Sequence, residues 1–154
     1  MYKMHASVVS IDGKAVLLRG PPGSGKSDLS LRLMDGGAEL ISDDYVDLHE
    51  KNGVLIAEGP KTILGMMEVR GLGLVTMPYI DHGIVFLACD LMPAERIERM
   101  PDKAEYLQVE GLEVPLMQLD AMAASAPARI KLALKRLDVL WPDPQIPGSV
   151  LGEG

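Results

Sequence analysis

The sequence predicts an α/β domain with a mixed, largely β central sheet, hairpins and flanking helices, and three observations carry that prediction. Ala15-Val16-Leu17-Leu18 is a continuous apolar run, as a buried strand requires. It leads into the glycine-rich stretch Gly20-Pro21-Pro22-Gly23-Ser24-Gly25-Lys26-Ser27 and then into Asp28 to Met34, where Leu29, Leu33 and Met34 share one helical face. Elsewhere Asp12-Gly13 and Asn52-Gly53 separate strand-like segments, as tight hairpin turns do.

Taken in order, Met4 to Ile11 alternates partly and is rich in small and branched residues, so it is expected as one strand that turns at Asp12-Gly13. The first helix is expected to end at Gly36-Gly37, where glycine takes a left-handed cap. Ala38 to Ile41 follows as a short strand running into Ser42-Asp43-Asp44. Tyr45 to Glu50 and Val54 to Glu58 flank the turn at Lys51-Asn52-Gly53. The stretch Met66 to Val75 has an acid and a base two residues apart, followed by two glycines, and in a strand Glu68 and Arg70 would point to the same face. Ile84 to Asp90 has the composition of a central strand, and Ala94 to Met100 that of a short charged helix stopped by Pro101. Glu113 to Leu119 carries a proline and is expected at a sheet edge. From about Ala128 the stripe Ile130, Leu132, Ala133, Leu134, Leu137 and Leu140 predicts a helix ending near Trp141-Pro142. Residues 1–141 therefore form one domain, and 142–154 a C-terminal tail expected to be mobile or used in assembly.

Composition narrows the function classes. The 154 residues carry 22 acidic and 15 basic side chains, a formal charge of −7 that disfavours nucleic acid as a partner. One phenylalanine and one tryptophan leave few platforms on which bases can stack. A lone cysteine, Cys89, excludes an internal disulfide and points to a reducing compartment. No apolar run is long enough for a signal peptide or a bilayer span, so a cytoplasmic protein without a membrane partner is expected. Ten methionines are read as adaptable core filler.

The glycine-rich stretch satisfies G-x-x-x-x-G-K-[ST] at every fixed position, the signature of a P-loop nucleotide-binding domain. Its glycines let backbone N–H groups turn inward toward phosphate oxygens, and the following helix adds the positive end of its dipole. Lys26 then reaches the outer phosphates of a nucleotide such as ATP, and the Ser27 hydroxyl is offered to Mg2+. Asp43 and Asp44 follow a strand, where ligands collect in α/β sheets, and suit metal binding and proton abstraction. A helix cap or turn also favours aspartate. Asp90 competes for the metal role, being an acid at the end of a hydrophobic strand. Glu68 and Arg70 fit either a metal ligand beside a phosphate-steadying cation or an ordinary ion pair. His82 is read as a turn residue, Cys89 as core, and His5 by pattern alone as packed or exposed.

His5, Gly20 to Ser27, Asp43-Asp44 and Glu68-Val69-Arg70-Gly71-Leu72-Gly73, in that order, resemble the catalytic domain of HPr kinase/phosphorylase. That bacterial enzyme phosphorylates a serine of the phosphocarrier protein HPr, and the E-V-R-G-L-G string is its more specific marker. The resemblance is good from about Met4 to Leu74 and weaker beyond, and the chain looks like a short form without the family's N-terminal domain. It implies that Lys26 neutralises the transferring phosphates and that Ser27 binds magnesium with Glu68 as a further ligand. Asp43 is placed near the metal. Asp44 is implied as proton acceptor from the substrate serine, with His5 supporting it and Arg70, Gly71 and Gly73 in the substrate loop. Asp90 matches no catalytic position of the family and becomes a strand-end acid.

Two departures stand out. Where the family has an arginine after its tyrosine region, this chain has Gln108, and the family's arginine-bearing late loop corresponds to the alanine-rich Leu119 to Arg129. Reverse phosphorylase activity is therefore expected to be weak or absent. The resemblance also implies a hexamer. Two rival readings remain from sequence: a P-loop small-molecule kinase or NTPase, and a nucleotide-responsive binding module.

Overall fold

Three two-residue turns set out most of the sheet. The structure, a computed structural model, describes residues 1–142, so the expected tail lies from residue 143 onward outside the described residues. The chain runs β1 (Tyr2–His5), β2 (Ser7–Ile11), β3 (Lys14–Arg19), α1 (Lys26–Asp35), β4 (Glu39–Ser42), β5 (Tyr45–Lys51) and β6 (Val54–Glu58). It continues through β7 (Met66–Val69), β8 (Gly73–Thr76), β9 (His82–Leu91), β10 (Glu105–Val109), β11 (Leu112–Leu119), α2 (Ala126–Lys135) and α3 (Leu137–Leu140). The turns Asp12-Gly13, Asn52-Gly53 and Glu110-Gly111 hold both residues at positive φ, as a two-residue hairpin matched to strand twist demands.

Nine strands form one mixed sheet in the order β1-β5-β6-β9-β3-β2-β4, with β11 also paired to β9 and β10 to β11. β3 and β11 flank β9 in parallel, and the other pairings are antiparallel. Alternation divides the core. Val9, Val16, Leu18, Leu87 and Cys89 face the helices, meeting Leu29 and Leu33 of α1 and Ile130 of α2. Val8, Leu17, Val46, Leu48, Val85 and Ala88 face a second core supplied by strand residues, so the sheet curls and covers this face itself. Trp141 is buried against that frame, its indole N–H donating to the Glu105 carbonyl at 3.0 Å.

Several expectations are corrected. Met4 to Ile11 is two strands divided at Ala6, because β1 pairs with β5 whereas β2 pairs with β3 and β4. Met66 to Val75 is a separate hairpin, β7 with β8, so Arg70 lies in its connecting turn and not on a strand face with Glu68. β11 is flanked by β10 and β9; Pro115 is accommodated opposite Tyr106, in the half of the strand that β9 does not reach. The charged piece at Ala94 is only a 3₁₀ turn of Ala94–Arg96, and the last helix breaks between Lys135 and Leu137. His82 begins β9 opposite Glu58 and is not in a turn. Among the methionines, Met4 and Met67 are buried, whereas Met1, Met100 and Met122 are exposed, so core filling explains only some of them.

Candidate active site

The backbone builds the site at a bend. β1 passes into β2 at Ala6 directly opposite the point where β4 passes into β5, since His5 pairs with Tyr45 and Val8 with Ser42. The ladder is interrupted there, and His5, Ser7, Asp43 and Asp44 occupy the interruption. Asp44 is at φ +77°, and the Tyr45 N–H donates to the Asp43 carbonyl at 3.0 Å. A three-residue bond around a positive φ is a γ-turn, an arrangement that strains a residue with a Cβ. It points successive carboxylates in different directions. Asp43 is buried, whereas the Asp44 side chain is 60% exposed and can be reached by a partner molecule.

Each acid has its own hydrogen bonds. The His5 imidazole donates from Nε2 to Asp44 Oδ1 at 2.7 Å, and its ring stacks on Tyr45 with centroids 5.0 Å apart. Asp43 Oδ1 accepts from Ser7 Oγ at 2.7 Å and from Ser27 Oγ at 2.8 Å, and Ser27 also reaches Oδ2 at 3.0 Å. Ser7 Oγ in turn accepts the Asp44 N–H at 3.3 Å, and Ser42 Oγ donates to the Tyr45 carbonyl. Asp43 therefore joins the bend to the first turn of α1.

The glycine loop is held at both ends. Arg19 donates from Nε and Nη2 to the two carboxylate oxygens of Asp90 at 2.7 and 3.1 Å, fixing the end of β3 to β9 just before Gly20. This accounts for Asp90 as a structural acid. A Cβ on Gly20 would overlap the Ser24 side chain, and Gly23 and Gly25 are at φ +83° and +99°, so side-chain space favours glycine at the first position and backbone conformation at the other two. Lys26 is buried and its ammonium donates to the carbonyls of Gly20 and Pro21 at 2.6 and 3.2 Å, while Ser24 Oγ is buried without a partner among the described residues. Pro21, Pro22 and Gly23 form the exposed crest.

The late loop packs on this cradle. Ala121 Cβ would lie 3.0 Å from a Cβ on Gly25, and the Arg32 guanidinium donates to the carbonyls of Ala121 and Ala123. Arg129 is exposed on α2, where its backbone N–H donates to the Ser125 carbonyl at 2.8 Å and its side chain has no hydrogen bond or ion pair among the described residues, and Gln108 is exposed and donates to Glu113 at 3.4 Å. Glu68 and Arg70 are likewise exposed on the β7–β8 hairpin, with Gly71 and Gly73 at φ +91° and +89° in and after its turn. No side-chain bond links that hairpin to the bend among the described residues. Cys89 is buried, and burial first, then the neighbouring charge of Asp90, pushes its thiol far above the ordinary range; it is no nucleophile. Sequence reasoning missed Ser7, Ser42 and Tyr45, whose roles depend on strand pairing.

The family profile described as HPr Serine kinase C-terminal domain matches residues 1–133. The chain belongs to that family. Family likeness therefore extends well past Leu74, where the motifs thin out. An HPr kinase/phosphorylase from Clostridium botulinum is 42% identical over 73 residues, covering 47% of this chain and 24% of the relative. One from Clostridium novyi is 31% identical over 128 residues, covering 76% of this chain and 41% of the relative. The chain thus matches less than half the length of these relatives. Among solved structures, the Hpr(Ser) kinase/phosphatase from Coxiella burnetii superimposes with a TM-score of 0.78 at 26% identity, covering 90% of this chain and 92% of that one. No helix among the described residues is long and apolar enough to cross a membrane.

Proposed function

We propose that this domain is an ATP- and magnesium-dependent serine kinase acting on a small HPr-like phosphocarrier protein, with little reverse phosphorylase activity. The observation that carries the reading is the Asp43 carboxylate bonded at once to Ser27 at the glycine loop and to Ser7 at the bend. That link sets the phosphate cradle beside Asp44.

The residues present fit both groups. Among the described residues, Ser24 Oγ is an unpartnered buried donor in the loop, and the Lys26 ammonium is satisfied by loop carbonyls that a phosphate can replace. Ser27 and Asp43 are hard oxygen donors, and magnesium typically takes one or two carboxylates with substrate phosphates. Ser27 and Asp43 would hold it, with Glu68 as a further ligand. When bound, magnesium offsets charge on the outer phosphates.

The reaction balances simply. The substrate serine oxygen bonds to the γ-phosphorus, the bond to the β–γ bridging oxygen breaks, and ADP leaves. The serine proton passes to the Asp44 carboxylate, which His5 holds in place and which is exposed enough to meet a protein substrate. Gln108 and the alanine-rich late loop carry the expectation of weak phosphorolysis. A hexameric assembly and a cytoplasmic location belong to the same reading.

Incubation with ATP, magnesium and a purified phosphocarrier, followed by mass spectrometry, tests it. Phosphoserine on the phosphocarrier is expected. Phosphate released only to water, or carried only by a small metabolite, overturns the reading in favour of an NTPase or a small-molecule kinase. Turnover no faster than that of Lys26→Ala, with nucleotide-dependent capture of the phosphocarrier, would make the domain a regulatory module.

A further inference from the structure

We propose that Ser7 is a positioning residue for phosphoryl transfer, fixing the strained turn that aims the Asp44 carboxylate; this rests on the kinase reading above. Ser7 is fully buried at the first position of β2, where nothing in the glycine-loop or E-V-R-G-L-G motifs draws attention to it. Its hydroxyl is used in both directions. It donates to Asp43 Oδ1 at 2.7 Å and accepts the Asp44 N–H at 3.3 Å.

The two bonds enforce one another. The Asp43 carboxylate can only accept, so it takes the hydroxyl proton and leaves a serine lone pair facing the Asp44 amide. That amide lies inside the γ-turn with Asp44 at φ +77°, a conformation an aspartate keeps only when its surroundings over-determine it. Ser42 braces the turn from the Tyr45 carbonyl, and Ser7 braces it from within. Without the hydroxyl, Asp43 keeps its bond to Ser27 but the Asp44 amide loses its partner in a half-buried place. Asp44 is then free to leave the left-handed region and carry its carboxylate away from His5. Ser27 is shared between both Asp43 oxygens, so the glycine loop and nucleotide binding do not depend on Ser7.

The test compares Ser7→Ala, Ser7→Cys and Ser7→Thr with the unaltered protein by kcat, KM for the phosphocarrier, nucleotide Kd and amide hydrogen exchange at Asp44. Ser7→Ala is expected to keep nucleotide Kd within about threefold while kcat falls roughly 10- to 100-fold, the cost of a reacting group displaced by about an ångström. Its Asp44 amide exchanges faster than in the unaltered protein. Ser7→Cys nearly preserves the volume but offers only a weak donor, and follows Ser7→Ala; it also decides the matter if Ser7→Ala fails to fold. Ser7→Thr keeps the hydroxyl and restores both kcat and Asp44 protection. Unchanged kcat, or unchanged Asp44 exchange, in a folded variant lacking the hydroxyl overturns the inference. If the unaltered protein transfers no phosphate to serine, the kinase reading itself has failed, and Ser7 loses its catalytic part with it.

Discussion

The bend at His5, Ser7, Asp43 and Asp44 and the β7–β8 hairpin bearing Glu68 and Arg70 are held in different ways. The bend is tied by hydrogen bonds from β1, β2, β4 and α1, and its acids are set before any ligand arrives. Among the described residues the two strands of the hairpin pair only with each other, anchored by the buried Met67, and leave Glu68, Arg70, Leu72 and Leu74 in solvent. A preassembled cluster costs little reorganisation at the moment of reaction, whereas exposed side chains on a two-stranded ribbon must be ordered by what they bind. On the kinase reading proposed above, the site would divide into a fixed chemical half and a half completed by substrate or metal.

A large effect that would sharpen this division is expected at the cradle. Lys26→Ala is expected to lower phosphocarrier phosphorylation by about 10²- to 10³-fold in a steady-state assay, because it removes a fixed charge from the transferring phosphates. Next comes stability. Leu17→Ala, in the fully buried centre beneath the bend, is expected to cost about 2–5 kcal/mol in urea unfolding. Leu74→Ala, 64% exposed on the hairpin, should stay within about 0.5 kcal/mol. Equal losses would break the contrast. Glu68→Gln is expected to raise the magnesium needed for half-maximal transfer by about tenfold while leaving stability within about 0.5 kcal/mol. On stability alone the effect at the turn is modest: Asp44→Gly should raise it by about 0.5–1 kcal/mol by relieving the left-handed strain, even as transfer is lost. A destabilised Asp44→Gly would mean that the His5 bond outweighs the strain.

How far the sequence could be read follows the same division. Asp12-Gly13 and Asn52-Gly53 announce their hairpins because both residues tolerate positive φ, and Gly36-Gly37 announces the end of α1. Glu110-Gly111 makes the same turn with a residue that rarely adopts it, so β10 gives no comparable signal. The break at Ala6 is hidden because the small and branched residues run on through it, and only the change of partner strand divides β1 from β2. Asp43 and Asp44 are visible as acids after a strand. Ser7 is not, since a serine opening a strand has no meaning until β2 is laid beside β4. Arg70 is misplaced by strand periodicity because Gly71 and Gly73, read as part of a functional string, also turn the chain.

On the kinase reading, the acid at the left-handed turn receives the serine proton while the glycine loop secures the nucleotide. Asp44→Asn, assayed side by side for nucleotide binding and for phosphate transfer to the phosphocarrier, tests it most directly. Nucleotide Kd within about threefold of the unaltered protein and transfer reduced by about 10²- to 10⁴-fold is the expected pair of results. Transfer at the unaltered rate would contradict the account.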